Sequence, residues 1–298
     1  MIAVDFNPIA IAGIAVAKSY ADKQGEVVSD NLMRHLIFSQ LGRINREFRS
    51  EYGELVICSD SGSCWRKDIF PQYKENRKVV VSADEEFWNT AHSVMDETRD
   101  ALIENFPYTF VRVHNAEADD IIAVLAERWH NENRRVMVVS RDKDFMQLHK
   151  FSGVKQYDPM SKKIMENPDP VKFLHIHIIK GDASDGIPNC LSADNVIATQ
   201  GLRQTPLSKR NIAIWSEMDV CDLPDNAKAG YHRNRRLIDF NHIPQEIRDE
   251  ITTKYEKQDK LKVSGKINNY LMKTRLIKLM ENTQDFVKGD VKNDIIHI

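Results

Sequence analysis

Short apolar runs, each bounded by polar residues, recur along the first half of the chain. Four of them are rich in Val, Ile and aromatic residues and span 2–6 (IAVDF), 55–60 (LVICSD), 109–113 (TFVRV) and 136–140 (VMVVS). Runs of this kind are typical of buried strands in a parallel sheet. Between the last two, Ile121 to Trp129 place apolar residues at helical spacing. The pattern predicts an α/β fold with a mostly parallel central sheet flanked by helices.

Capping residues and prolines place the helix boundaries. Asn7, followed by a proline, predicts an N-cap and a first-turn proline for a helix that runs to about Lys18. A second amphipathic helix is predicted over roughly 30–49. Ser82 begins a capping-box pattern for a helix that runs to about residue 105.

Carboxylates follow the predicted strands at the ends where such sheets bind ligands. Asp5 and Asp60 close the first two strands, Glu117, Asp119 and Asp120 follow the third, and Asp142 and Asp144 follow the fourth. The carboxyl ends of parallel strands meet at one edge of an open α/β sheet. Crowded carboxylates raise one another's pKa unless a cation neutralises them. The pattern therefore predicts a metal site, and oxygen ligands favour Mg²⁺, with Mn²⁺ as a substitute, over zinc.

A basic and aromatic segment follows the second strand. Its basic residues are Arg66, Lys67, Lys74, Arg77 and Lys78, interleaved with Trp65, Phe70 and Tyr73. Basic and aromatic side chains together can hold a single nucleic-acid strand by charge and stacking. The alternative is an ordinary solvated surface helix. The position directly after an acidic strand end favours the functional interpretation.

The second half of the chain is predicted to open with a β-hairpin over 154–166 and to continue as basic helices. A helix that starts near Pro170 leads into the turn 181–189, and a second helix capped by Ser192 is predicted to follow. This arrangement would form a helix-hairpin-helix-type motif, whose turn can offer backbone N–H groups to phosphate. Asp182 and Asp185 in the turn are predicted to face the acidic site.

The prolines near residue 170 place a domain boundary there. We expect a catalytic domain over 1–170, with a basic arch at about 62–105, and a helical DNA-binding domain over 171–298. His175 and His177 are interpreted as partly buried or surface histidines, because neither has a second ligand at metal spacing.

Composition and charge are those of a globular protein and bear on the kind of substrate it binds. The 298 residues are 42% hydrophobic and 29% charged, which is ordinary for a soluble protein, and the formal net charge is −2. Without the nine carboxylates named above, the formal charge of the rest of the chain is positive. A positively charged surface around an acidic pocket suits a polyanionic substrate. The four cysteines lack metal spacing and are expected to be reduced thiols. The apolar run 8–17 is too short to span a bilayer and lacks the basic flank of a signal peptide, so a cytoplasmic location is expected.

The order of these motifs resembles the flap endonuclease / 5′-nuclease family. Asp5 and Asp60 precede Tyr73-Lys-x-Asn-Arg77, and then come Glu117-Ala-Asp-Asp120, Ser140-Arg-Asp-Lys-Asp-Phe145 and Gly181-Asp-Ala-Ser-Asp-Gly-Ile-Pro188. The segments 237–244 (LIDFNHIP) and 264–271 (SGKINNYL) extend the likeness, which is greatest to the ribonuclease H branch of T-even-type phages, enzymes with 5′→3′ exonuclease activity. The resemblance implies a PIN-like 5′-nuclease core and two-metal phosphodiester hydrolysis.

The resemblance also implies roles for particular residues. It assigns Asp5, Asp60, Glu117, Asp119 and Asp142 to a first metal, and Asp144, Asp182 and Asp185 to a second, while the role of Asp120 stays open. Lys74 and Arg77 would contact the scissile phosphate, with Asp119 and Asp142 as catalytic carboxylates. Arg66, Tyr73 and Gly186 would bind substrate, with the Tyr73 ring stacked on a base.

The family's cofactors, substrates and partners follow as expectations. A K⁺ ion at the hairpin turn is implied, although Asn189-Cys-Leu-Ser-Ala-Asp stands where a Gly-Ile-Gly-type turn is usual and Gly186 where Asn is usual. Substrates would be DNA and RNA–DNA hybrid duplexes with 5′ ends or flaps, and primer removal on the lagging strand would be the role. A single-strand-binding protein and a sliding clamp, with the tail 293–298 as a docking peptide, are implied partners of a monomer. If phage-encoded, the protein would act in the cytoplasm of the infected cell.

Three other interpretations stay open from the sequence. A Mg²⁺-dependent phosphatase on a similar sheet would need Asp-x-Asp at the first strand, where the chain has Asp5-Phe6-Asn7. A non-catalytic DNA-junction-binding protein would be expected to lack several of the acids. A nuclease that acts chiefly on RNA would share all of these features.

Overall fold

The computed structural model describes residues 1–77, 84–257 and 265–287, and its centre is a six-stranded sheet. The strands are β1 (Ile2–Asp5), β2 (Leu55–Cys58), β3 (Thr109–Val111), β4 (Val136–Val139), β5 (Val154–Asp158) and β6 (Lys163–Met165). Their order is β3-β2-β1-β4-β5-β6, with β6 antiparallel and the others parallel. The four predicted strands and the predicted β5–β6 hairpin are confirmed.

Helices cover both faces of this sheet and form the C-terminal part. They are α1 (Phe6–Gln24), α2 (Asp30–Tyr52), α3 (Arg66–Ile69), α4 (Glu85–Asn105), α5 (Ala118–Asn131), α6 (Pro170–Lys180), α7 (Lys209–Trp215), α8 (Asp225–Ile238), α9 (Gln245–Glu256), α10 (Gly265–Lys273) and α11 (Ile277–Met280). Among the described residues, every helix is too short or too polar to cross a membrane.

The register of the sheet brings the strand ends together. Val4 of β1 lies opposite Ile57 of β2 and Val139 of β4, so the three strands end at the same level. The strand order reverses around β1, because β2 and β3 extend to one side and β4 and β5 to the other. A crevice opens at such a switch point, outside the carboxyl ends of the strands.

Successive residues of β1 point to opposite faces of the sheet and therefore pack into different cores. Val4 packs into the cluster under α1, α2 and α4, whereas Ala3 packs into the cluster under α5 and α9. The C-terminal helices contribute to both clusters, through Leu271 on the first side and Ile251 on the second. A third cluster joins α6 and α8 to the basic segment. Residues after 240 therefore complete the sheet's cores, and the division at residue 170 stays a prediction.

Helix α1 begins two residues earlier and ends six residues later than predicted. Asp5, not Asn7, occupies the N-cap position, and Gly25 with φ of +69° ends the helix. Asn7 lies inside the first turn, where its side chain bonds to Asp60. The predicted cap was wrong because the Asn7 side chain donates to Asp60, which follows β2, and does not cap α1.

The second helix of the predicted hairpin motif is not formed over 192–207. Instead of capping a helix, Ser192 donates to the Asn189 side chain and accepts from the backbone N–H of Thr205. The Arg233 guanidinium donates to the carbonyl oxygens of Pro188, Asn189 and Ser192 at 3.0–3.1 Å. Long-range bonds thus occupy the turn where the second helix was predicted.

The predicted arch at 62–105 is largely packed against the body in its described part. Helix α4 ends at Asn105 as predicted and buries Val94 and Leu102 in the first core. Trp65 and Tyr73 are also buried. Lys78, Ser82 and the tail 293–298 lie outside the described residues.

Candidate active site

One pocket of about 300 Å³ opens at the carboxyl ends of the strands. Its walls contain all eight carboxylates predicted as metal ligands, namely Asp5, Asp60, Glu117, Asp119, Asp142, Asp144, Asp182 and Asp185. Lys74 and Arg77 line the same pocket. Acids from five separate segments of the chain and basic residues from a sixth therefore meet in one place.

Asp5 and Asp60 form the floor next to β1. The Ser140 hydroxyl donates to Asp5 at 3.2 Å, and burial together with the nearby Asp60 charge raises the pKa of Asp5 to about 8. Asp60 accepts from the Asn7 side chain at 2.6 Å and from the backbone N–H of Ala118 at 2.7 Å. The Arg99 guanidinium, in turn, donates to Asn7 at 3.0 Å. Asp60 is thus fixed between the first turns of α1 and α5.

Glu117 is neutralised by two cations, Lys74 and Arg66. Burial alone would raise its pKa, but Lys74 and Arg66 outweigh this and lower the pKa to about 2. The distances are 2.6 Å from Lys74 Nζ and 2.9 Å from the Arg66 guanidinium. Tyr73 and Cys64 also donate to this carboxylate, each at 2.9 Å. The neighbouring Asp119 is buried instead among like charges, which raises its pKa.

Asp142 and Asp144 follow β4 on a turn that the chain holds firmly. Gln156 donates to the carbonyl oxygens of Ser140 and Asp142, and Asp142 Oδ1 accepts from the backbone N–H of Asp144 at 3.0 Å. Burial raises the pKa of Asp144 to about 7, assisted by the charges of Asp142 and Asp182 and opposed by His177.

Asp182 and Asp185 stand on the turn after α6. Asp182 Oδ1 accepts from the Ser184 N–H at 2.8 Å and the Ser184 hydroxyl at 2.6 Å. Asp185 accepts from the Tyr73 hydroxyl at 2.9 Å and pairs with Arg77 and, at 3.5 Å, with Lys74. The turn therefore brings two more acids to the pocket and holds the basic segment beside them.

These residues fit a divalent cation. The pKa values of Asp5, Asp119 and Asp144 are raised by burial and crowding, so their charged forms need a positive partner. The ligand atoms are carboxylate oxygens, which suit hard cations. The acidic clusters are thus capable of binding divalent metal.

Asp120 is not in this pocket. Its side chain is fully buried and lies 2.8 Å from the Arg66 guanidinium. It also accepts from the Glu117 N–H at 3.0 Å and the Trp65 indole N–H at 3.1 Å. It caps α5 and pairs with Arg66, and its carboxylate also lies within 4.8 Å of those of Glu117 and Asp119, so a role for Asp120 at the metal site stays a prediction.

Two of the three predicted substrate contacts, Arg66 and Tyr73, are inside the protein. Each is only 2% exposed. The Arg66 Nε also donates to the carbonyl oxygen of Leu237 at 2.8 Å. The Tyr73 ring packs in the third core and offers no free face for a base. Both residues bond to acids in this structure, and the expectation that they touch substrate stays a prediction.

Gly186 holds the basic segment in place. Its φ is +76°, and a Cβ atom there would lie 2.8 Å from the Gln72 carbonyl oxygen. The adjacent Asp185 carbonyl accepts from the Lys74 N–H at 2.8 Å, and Lys74 itself has φ of +57°. The buried Gly186 is therefore needed for the close approach of two backbones, and a direct substrate contact is not supported.

Four residues that support the site were missed by sequence reasoning. They are Asn7, Arg99, Ser140 and Gln156. Their partners lie far away in the chain, so nothing in the local pattern marked them. His177 was dismissed, but its ring lies 3.4 Å from Asp144 and 3.7 Å from Asp182. Its position four residues before the turn on α6 was the available signal.

The fold and the acidic pocket together define a nuclease, and comparisons with known proteins specify its family. The model of the 5′-3′ exonuclease N-terminal resolvase-like domain matches residues 15–174, and that of the T4 RNase H C-terminal part matches 172–286. The chain is 30% identical to ribonuclease H of Enterobacteria phage T4, over 95% of the chain and 94% of that protein. The chain therefore belongs to the 5′-3′ exonuclease family.

Bacterial relatives agree with this, and a solved structure shares the fold. The chain is 27% identical to a 5′-3′ exonuclease of Buchnera aphidicola, over 51% of the chain and 54% of that protein. It is 28% identical to the flap endonuclease Xni of Shewanella piezotolerans, over 45% of the chain and 51% of that protein. A T5 protein crystallised with metal ions shares the fold, with a TM-score of 0.59 at 17% identity over 86% of this chain and 98% of that one.

Proposed function

We propose that the protein is a Mg²⁺-dependent 5′→3′ exonuclease and flap endonuclease that hydrolyses phosphodiesters of RNA–DNA hybrid and DNA duplex. The observation that carries the proposal is the meeting of eight carboxylates with Lys74 and Arg77 in one pocket. Hydrolysis of a phosphodiester requires positive charge next to the phosphate. An acidic pocket can provide this charge by binding metal cations. Relatives named as flap endonuclease and ribonuclease H support the substrate class. Removal of RNA primers from lagging-strand fragments is the role we infer.

The acids divide into two groups. Asp5, Asp60, Glu117, Asp119 and Asp142 would hold the first ion, and Asp144, Asp182 and Asp185 the second. The ions, when bound, supply an activated water and stabilise charge on the phosphate. Glu117 and Asp185 already bond to Lys74, so these two acids tie the basic segment to the metal groups.

Lys74 and Arg77, which line the pocket, would contact the scissile phosphate. Lys74 Nζ is held 2.6 Å from Glu117 and 3.5 Å from Asp185, inside the pocket. A cation fixed in a mostly buried site stabilises developing negative charge more strongly than one in solvent, because it needs no reorganisation.

Lys74→Ala is expected to lower kcat by roughly 10²-fold with little change in KM. The ammonium group would act on charge that develops during the reaction, so the loss falls on turnover. Steady-state kinetics on a 5′-flap in Mg²⁺ measure this. Lys23→Ala removes an exposed lysine in the last turn of α1 that does not line the pocket, and this matched control should behave as wild type. A change confined to KM would show that Lys74 only steers the substrate.

The function is tested by offering 5′-labelled flap, nicked duplex and RNA–DNA hybrid side by side, with Mg²⁺ and with chelator. Cleavage near the 5′ end or flap junction should occur with Mg²⁺ and stop with chelator. Absence of cleavage of all three substrates in Mg²⁺ or Mn²⁺ would overturn the proposal and favour a junction-binding protein. Cleavage of the hybrid alone would make it a nuclease acting chiefly on RNA.

We also infer a monomer that meets a single-strand-binding protein and a sliding clamp during replication. DNA as a partner is supported by a T5 flap endonuclease of the same fold, which is known in complex with DNA and metal ions. The DNA-binding surface would lie on residues 171–298.

A further inference from the structure

We propose that His177 is a nitrogen ligand of the second metal position, together with Asp144 and Asp182, and that this position therefore accepts transition-metal ions such as Mn²⁺. The proposal rests on the proposed function, since it names the ligands and metal preference of the same site. The starting observation is geometric. One ring nitrogen of His177 and one oxygen from each of the two acids all lie within 4.8 Å of one another.

The ring stands between the two acids, and a different ring nitrogen is nearest to each of them. His177 Nδ1 lies 3.4 Å from Asp144 Oδ1, and Nε2 lies 3.7 Å from Asp182 Oδ2. Charge-assisted hydrogen bonds are shorter, at about 2.7–2.9 Å. Two ligands that each stand about 2.1 Å from an ion, at angles of 90–120°, are roughly 3.0–3.6 Å apart. The distance from Nδ1 to Asp144 falls within this range. Lys74 and Glu117, which do form an ion pair in this site, are 2.6 Å apart.

The contrast with His175 on the same helix supports a distinct role. Both ring nitrogens of His175 are in hydrogen bonds, to the Tyr231 hydroxyl at 2.8 Å and the Trp215 carbonyl oxygen at 2.9 Å. That arrangement is a satisfied structural histidine. The His177 nitrogens both point toward carboxylates, and the ring lines a second cavity of about 770 Å³ that shares Asp144 and Asp182 with the acidic pocket. An ion could reach this position from either cavity.

The ligand chemistry separates the two positions. The first group contains carboxylate oxygens alone, which suit Mg²⁺. An imidazole nitrogen moves the second toward Mn²⁺, Co²⁺ and Zn²⁺, because imidazole is a ligand that later divalent metals prefer. The two positions could then hold different ions in one molecule.

The test uses the full chain loaded with one equivalent of Mn²⁺ and pulsed EPR, which detects ¹⁴N bonded to the ion. Wild type should show ¹⁴N modulation and His177→Asn should not. The matched control His92→Asn removes an exposed histidine of α4 that lines neither cavity and should keep it. By calorimetry, His177→Asn should raise the Kd for Mn²⁺ about tenfold or more and that for Mg²⁺ less than about threefold.

Modulation that persists in His177→Asn, or is absent from wild type, would overturn the proposal. If Mn²⁺ binds without nitrogen coupling, His177 is only a counter-charge between two acids. Cleavage of the flap in Mg²⁺ is measured separately. Its absence would refute the proposed nuclease function, whereas the EPR result alone decides whether His177 is a ligand.

Discussion

Asp142→Asn is expected to abolish phosphodiester cleavage, lowering the single-turnover rate on a 5′-flap by about 10³-fold or more, or about 4 kcal/mol. Asp142 lies between the two groups of acids, because its charge contributes to the raised pKa of both Asp5 and Asp144. Removing this charge should weaken both metal positions. The amide oxygen can still accept from the Asp144 N–H, a bond of 3.0 Å in the wild type, so the turn should keep its shape.

The matched control is Asp158→Asn. Asp158 ends β5, its Oδ1 accepts from the Met160 N–H at 2.8 Å, and it does not line the acidic pocket. The substitution is therefore the same chemical change in the same kind of turn. The Asp158→Asn variant should cleave the flap at the wild-type rate. Flap binding, measured by fluorescence anisotropy in chelator, should change less than about threefold in both variants. Turnover of Asp142→Asn close to wild type in Mg²⁺ would refute the metal assignment, and Asp119→Asn offers an independent repeat.

The strands and the acidic site were predictable because their signals are local. An apolar run marks a strand wherever it packs, and parallel strands bring their carboxyl ends to one edge. Asp5, Asp60 and Asp142 could thus be placed in one site from sequence, and the structure brings them into one pocket. The shape of the fold and its family are likewise confirmed.

The errors concern burial and long-range bonds. Arg66 and Lys74 are basic residues of one segment, and sequence alone does not say that Arg66 pairs with buried Asp120 whereas Lys74 enters the pocket. The helix predicted after Ser192 failed because Arg233, from α8, bonds to the carbonyls of that turn. In each case the deciding partner comes from a distant part of the chain, which a local pattern does not report.

Arg66→Met is expected to lower the free energy of unfolding by about 3–5 kcal/mol, a large fraction of the stability of a typical domain. The Arg66 guanidinium is the cation between Asp120 at 2.8 Å and Glu117 at 2.9 Å, and its side chain is 3% exposed. Methionine fills a similar volume but leaves the Asp120 charge buried without its partner. Urea denaturation followed by circular dichroism measures the loss. Arg112→Met, an exposed arginine, should change stability by less than about 0.5 kcal/mol.

A second substitution separates this structural role from substrate binding. In Arg66→Met/Asp120→Leu the stranded charge is also removed, so part of the lost stability should return. Glu117 would keep its bonds to Lys74, Tyr73 and Cys64 and remain neutralised. A residue that only binds substrate would raise KM on replacement and leave unfolding unchanged. Wild-type stability of Arg66→Met with a raised KM would therefore contradict the buried ion pair and restore Arg66 to the substrate-binding surface.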